Sequence, residues 1–160
     1  MYMLKRTQLL PVDLQTAWQF FSDPRNLPVI TPPGLGFEIT SDLPERMYAG
    51  MVVTYRVTAL AGIRVDWVTE ITHVHEPGFF VDEQRCGPYR FWHHQHHFRA
   101  VEGGTEMVDL VSYLLPLQPF GQLAAPFVRR RLEHIFDFRQ RTLETMFKER
   151  GDAYGNDGLH

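Results

Sequence analysis

The chain has 160 residues, 44% of them hydrophobic and 13% aromatic, which suits one domain with a real core and leaves no room for a second. A charged fraction of 22% argues against disorder, and a formal charge of −3 argues against a partner bound mainly through nucleic-acid phosphates. The single cysteine, Cys86, excludes an intrachain disulfide and a CxxC zinc site and points to a reducing compartment, the cytoplasm. Lys5, Arg6 and Asp13 interrupt the start before a signal core could form. Pro116, Pro119 and Pro126 break the one uncharged stretch, Leu110 to Val128, that approaches a membrane span, so no membrane insertion is expected.

Met3 to Leu10 reads as a first strand, ended by Pro11. Asp13 is a fitting N-cap for a short helix through Ser22, whose buried side is Ala17, Trp18, Phe20 and Phe21. Asp23-Pro24 restarts the chain with a second short helix over Pro24–Ile30, and Thr31-Pro32-Pro33-Gly34 closes the region. Runs rich in valine, threonine and aromatics then recur, as in an antiparallel meander. They cover Phe37–Ser41, Met51–Ala59, Ile63–His73, Phe79–Cys86, Phe91–Val101 and Thr105–Leu115. Turns fall at Leu60-Ala61-Gly62, His75-Glu76-Pro77-Gly78, Gly87-Pro88 and Glu102-Gly103-Gly104. A long helix from about Pro126 to Arg150 follows, with Val128, Leu132, Ile135, Phe136, Leu143, Met146 and Phe147 at helical spacing. Its length would be roughly 37 Å. Phe120 to Ala125 reads as a separate first turn set off by Pro126. Residues 1–150 thus form one domain, and 151–160 a polar, flexible tail.

Such a helix must bury its apolar stripe on one face of the sheet, and alternation sorts the strand residues into inner and outer sets. Val53, Tyr55 and Val57 face inward from one run, and Val65, Trp67, Thr69 and Ile71 from the next. Trp92, His94, His96 and Phe98 are the inner set of their strand. Met107, Asp109, Val111 and Tyr113 are that of the last one, with Val108, Leu110 and Leu114 competing. For Phe79–Cys86 the face stays open, with Phe80, Asp82 and Gln84 preferred. The inner surface therefore gathers Asp82, Gln84, His94, His96 and Asp109 among aromatics. A packed core rarely tolerates so many polar groups without partners, and a cavity lined by them accounts for the pattern.

These residues resemble the START-like, or SRPBCC, superfamily, which includes the birch pollen allergens and the polyketide cyclases. The likeness runs from Met3 to about Arg150, and its local wording is that of a bacterial ligand-binding subgroup. It is carried by Phe20-Phe21-Ser22-Asp23-Pro24-Arg25-Asn26-Leu27, Ile30-Thr31-Pro32-Pro33, Phe80-Val81-Asp82-Glu83-Gln84, Trp92-His93-His94-Gln95-His96-His97-Phe98, Gly103-Gly104-Thr105 and Asp109-Leu110-Val111-Ser112-Tyr113. The resemblance implies an α+β helix-grip fold: a seven-stranded antiparallel curved sheet, two short helices, and a long C-terminal helix enclosing a cavity. It does not imply a reaction, because the superfamily holds lipid and hormone binders, cyclases, oxygenase subunits and chaperone regulators.

A pocket built from Tyr55, Trp67, Phe80, Trp92, Val111, Tyr113 and Phe136, with Gln84, His94, His96 and Asp109 as polar fixtures, has the make-up of a small-molecule site. The first expectation is a binder of a hydrophobic or amphipathic small molecule. The second is a cyclase- or dehydratase-type enzyme in which His94, His96, Asp82 and Asp109 move protons. The third is a regulator or subunit acting through its surface. The plain alternative for the histidine run is an outer pair in water and an inner pair bonded to neighbouring strands. A metal would need Asp109 or Asp82 as a third ligand, and neither a metal nor another cofactor is expected. Arg129-Arg130-Arg131 reads as a solvated helix face, since Glu133, Asp137 and Glu144 share the helix. The oligomeric state is left open.

Overall fold

The computed structural model describes residues 1–58, 62–116 and 121–155, with side chains as far as Lys148. The expected strand end at Ala59, most of the turn at Leu60-Ala61-Gly62, Phe120, and the tail from 156 onward lie outside the described residues. The first strand, β1, spans Tyr2–Leu10 and leads into helix α1, Leu14–Phe21. Asp13 caps α1 as its side chain predicts, accepting from the Thr16 amide at 2.9 Å and the Thr16 hydroxyl at 2.6 Å.

The expected second helix is not α-helical. Pro24–Asn26 forms a single 3-10 turn, and bonds from Leu27 N to the Pro24 carbonyl and from Val29 N to that of Asn26 continue it as tight turns. Pro28 has no amide hydrogen to give a helical ladder, which explains the difference. A further 3-10 turn, Pro33–Leu35, is closed by Gly36 at φ 52°, a left-handed position that suits glycine.

The strands that follow are β2, Glu38–Ile39; β3, Met51–Thr58; β4, Arg64–His75; β5, Phe79–Cys86; β6, Phe91–Val101; and β7, Gly104–Leu114. β2 is shorter than its predicted run. β4 continues two residues further, so the turn contracts towards Glu76-Pro77-Gly78, with the Glu76–Pro77 bond cis. All seven strands form one antiparallel sheet in the order β1-β7-β6-β5-β4-β3-β2. Register shifts between β4 and β5 at Val68/Thr69 and Ile71/His73 add the local twist that curves such a sheet. At Gly104 a Cβ would collide with the Leu10 carbonyl oxygen, so glycine is what lets β1 lie against the start of β7.

Helix α2, Gly121–Gly155, crosses the inner face and runs about 52 Å. It starts earlier than the predicted Pro126 and passes through that proline without a separate first turn. Pro126 lies in the second turn and removes one ladder bond, not enough to end the helix. Val128, Leu132, Phe136, Leu143 and Phe147 are buried along the expected stripe. The sheet faces also follow the alternation: Met51, Val53, Tyr55 and Val57 are buried on β3; Trp92, His94, His96 and Phe98 on β6; and Met107, Asp109, Val111 and Tyr113 on β7. The architecture is the α+β helix-grip arrangement, with α2 held over a seven-stranded sheet.

Candidate functional site

Between α2 and the sheet lies a cavity of about 470 Å³. Phe20 and Phe21 from α1, Leu27 and Ile30 from the turns after it, and Tyr55 and Val57 from β3 wall one side. Trp67 from β4, Trp92 from β6 and Tyr89 from the β5–β6 loop form an aromatic corner, the two indoles edge-to-face at 5.3 Å. Val128, Leu132 and Phe136 of α2 close the other side. Burial raises the Tyr55 and Tyr89 hydroxyl pKa values above the ordinary tyrosine range, so both stay neutral.

Strand register assembles the polar patch. Asp82 of β5 lies opposite His94 of β6, and His96 lies opposite Asp109 of β7. All four point inward, and the diagonals close the group. His94 Nε2 is 2.9 Å from Asp109 Oδ1, and His96 Nε2 is 2.9 Å from Asp82 Oδ2. His94 Nδ1 stands 3.3 Å from Asp82 Oδ2. His96 Nδ1 lies 3.0 Å from Asp109 Oδ1 but points off the line of a hydrogen bond, so this contact is electrostatic only. The rings lean on each other at 3.8 Å, and Phe80 stacks on His96 at 4.1 Å.

Burial by itself disfavours a charged His94, yet the Asp82 and Asp109 carboxylates outweigh it and push the ring up to about 9. A doubly protonated ring can donate from both nitrogens, as its two contacts require. Burial would likewise raise both carboxyls, but the charge and hydrogen bonds of the rings hold them well below the usual carboxylate range. Chemically this is a proton-holding network with one side in the cavity, since Asp82, His94 and His96 line it and Asp109 supports the rings from behind. Asp82, His94 and His96 also offer three ligand atoms within 4.8 Å of one another, a donor set that could hold a divalent ion.

Of the residues singled out in the sequence, Tyr55, Trp67, Phe80, Trp92, His94, His96, Phe136 and Asp82 border the cavity. Gln84, Asp109, Val111 and Tyr113 do not. Gln84 is turned to the β5–β6 loop, where its amide donates to the Tyr89 carbonyl at 2.6 Å and its oxygen accepts from the Tyr89 amide at 3.2 Å. The β4–β5 register is regular from Asp82 to Gln84, so Gln84 keeps the face of Asp82, and it is the Tyr89 backbone that draws its amide away from the cavity. Val111 and Tyr113 are inner residues, but they pack in the apolar cluster with Leu4, Val128 and Leu132.

Two further cavity residues, Arg139 and Arg131, lie outside the site expected from the sequence. Arg139 lies in the buried stripe between Phe136 and Leu143 and lines the cavity at 8% exposure. Its position, three residues after Phe136 and four before Leu143, was a legible signal. Arg131 corrects the reading of a wholly solvated basic run: Arg129 and Arg130 are exposed, whereas Arg131 borders the cavity and donates to the Thr58 carbonyl at 2.9 Å. It flanks Leu132 on the helix, close enough to the stripe to be drawn under.

The sequence matches the polyketide cyclase / dehydrase and lipid transport family over residues 10–139. No curated protein sequence matches it. Among solved structures the chain is similar to protein Ms6760 from Mycobacterium smegmatis, with 20% identity, TM-score 0.68, and 92% of this chain and 91% of that one covered. It is similar to TTHA0849 from Thermus thermophilus, with 17% identity, TM-score 0.70, and 92% and 98% covered. It is also similar to Ara h 8.0201, with 15% identity, TM-score 0.59, and 89% and 97% covered. At these identities the likeness concerns the fold. Among the described residues no helix is long and apolar enough to cross a membrane.

Proposed function

Because the chain belongs to the polyketide cyclase / dehydrase and lipid transport family, we propose that it takes up one hydrophobic or amphipathic small molecule between its sheet and its C-terminal helix. The observation that carries this reading is the cavity of about 470 Å³, walled mainly by aromatic and aliphatic side chains, with Asp82, His94 and His96 as its polar patch on the sheet and Arg131 and Arg139 on α2. Affinity comes from removing the ligand's apolar body from water, at about 0.8 kcal/mol per buried methylene. Orientation comes from His94, His96 and Asp82.

Native mass spectrometry of freshly purified protein tests this directly. One equivalent of a small apolar molecule, released on denaturation, is expected. Filling the space with Ala124→Trp should abolish its retention. Unchanged retention in that variant would remove the cavity from the explanation.

A second reading, catalysis on the bound molecule, is favoured by the Asp82–His94–His96–Asp109 network, which can give and take a proton at the cavity wall. The molecule retained by His96→Gln separates the two. A binder keeps the same molecule as the parent protein, whereas an enzyme accumulates a different one, its unconverted substrate.

A further inference from the structure

Arg139 is a cation inside an apolar cavity wall. It is 8% exposed, lines the cavity and has an Nε without a hydrogen-bond partner. Among the described residues its guanidinium enters no ion pair. Its contact is with a π face, the Phe136 ring centroid lying 5.0 Å from Cζ. The acids that could have taken it are committed elsewhere. Asp137 pairs with Arg6 at 3.3 Å, and Asp82 and Asp109 are held by the two histidines. Burial accordingly lowers the pKa of Arg139, while the Asp109 and Asp82 charges work to keep it protonated.

A buried guanidinium left unpaired is costly, and a chain selected only for packing would carry leucine or methionine in this stripe. The geometry points to a ligand that brings the missing partner: we propose that the cavity takes a monoanionic carboxylate on an apolar body, its carboxylate on Arg139. This rests on the cavity reading above. A guanidinium presents a planar fork of donors that matches a carboxylate in two parallel hydrogen bonds. A phosphate fits less well, because it would add up to two negative charges near the ionised Asp82 and Asp109. The apolar body then lies against Trp92, Leu132 and Phe136, and the carboxylate end lies within reach of the histidine wall.

Calorimetric titration at pH 7.5 with two matched pairs, decanoate against decanamide and 2-naphthoate against 2-naphthamide, tests the proposal on the full chain. The parent protein should bind the better acid about tenfold to hundredfold more tightly than its amide, the range of a charge-assisted hydrogen-bond pair. Arg139→Met should erase that preference by weakening the acid while leaving the amide within about threefold, and Arg139→Lys should retain part of it. The free Arg139→Met protein should melt no lower than the parent, since the variant removes an unpaired buried cation; this shows that it is folded. Equal binding of acid and amide by the parent, or an undiminished preference in Arg139→Met, overturns the carboxylate assignment and leaves the cavity reading standing. Failure of all four compounds to bind the parent overturns both.

Discussion

The two halves of helix α2 cover the same sheet in opposite ways. Towards its C-terminal end, Leu143 and Phe147 are 0% exposed and close onto Leu10, Trp18, Phe20, Phe98 and Met107. Trp18 meets Phe98 edge-to-face at 6.0 Å, and Phe20 meets Phe147 at 5.5 Å. Towards its N-terminal end, Val128, Leu132, Phe136 and Arg139 roof the cavity, and the sheet beneath carries Asp82, His94 and His96. The closed half supplies the stability that lets the open half keep empty volume, buried charge and an unpaired guanidinium. The proposed site is built where packing is least complete.

Truncation on the two sides should break this comparison most sharply if it is wrong. Phe147→Ala is expected to cost about 3–5 kcal/mol in urea unfolding, the range for a large side chain removed from a closed core. Phe136→Ala should cost less than half of that, because its ring already borders open space and gives up fewer contacts. Equal losses would mean that the roof is packed as tightly as the closed end.

The charged patch sharpens the comparison through pH. His94 is raised to about 9, so its stabilising contribution is complete below the ordinary histidine value of about 6.5 and is lost as pH rises through about 9. Asp82 and Asp109 are depressed, so theirs is present above the ordinary carboxylate value of about 4 and is lost on acidification. Melting temperature should therefore fall by several degrees between pH 6.5 and 9. His94→Gln should flatten that limb of the profile. A parent profile that is level over this interval would contradict the network.

The smallest effect concerns the edge of the open half. Gln84→Ala removes two hydrogen bonds to the Tyr89 backbone and should cost about 1 kcal/mol in the same unfolding assay. A loss near that of Phe147→Ala would show that the loop carries more of the structure than its position suggests.

Much of this fold is legible residue by residue. The Asp13 cap, the inward sets on β3, β6 and β7 and the stripe on α2 all follow from local periodicity and turn chemistry. The departures from it have local causes. Pro28 converts a short helix into 3-10 turns, and Gln84, on the face of Asp82, spends its amide on the Tyr89 backbone of the β5–β6 loop. Arg139 is hard to place from sequence because a charged residue inside an apolar stripe is naturally assigned to solvent, although its spacing fits the buried side.

Local order therefore determined which side of each strand and helix is apolar, and with it the need for a sheet covered by one long helix. It also put the two histidines on one side of their strand and made the covered side the preferred one for the two acids, because alternation depends only on neighbours along the chain. Which acid meets which histidine, whether the covered space is filled or hollow, and that Arg139 is left there without an acid were decided by strand register and by where α2 comes to lie. Those relations join residues far apart in sequence, and they exist only once the chain has closed on itself.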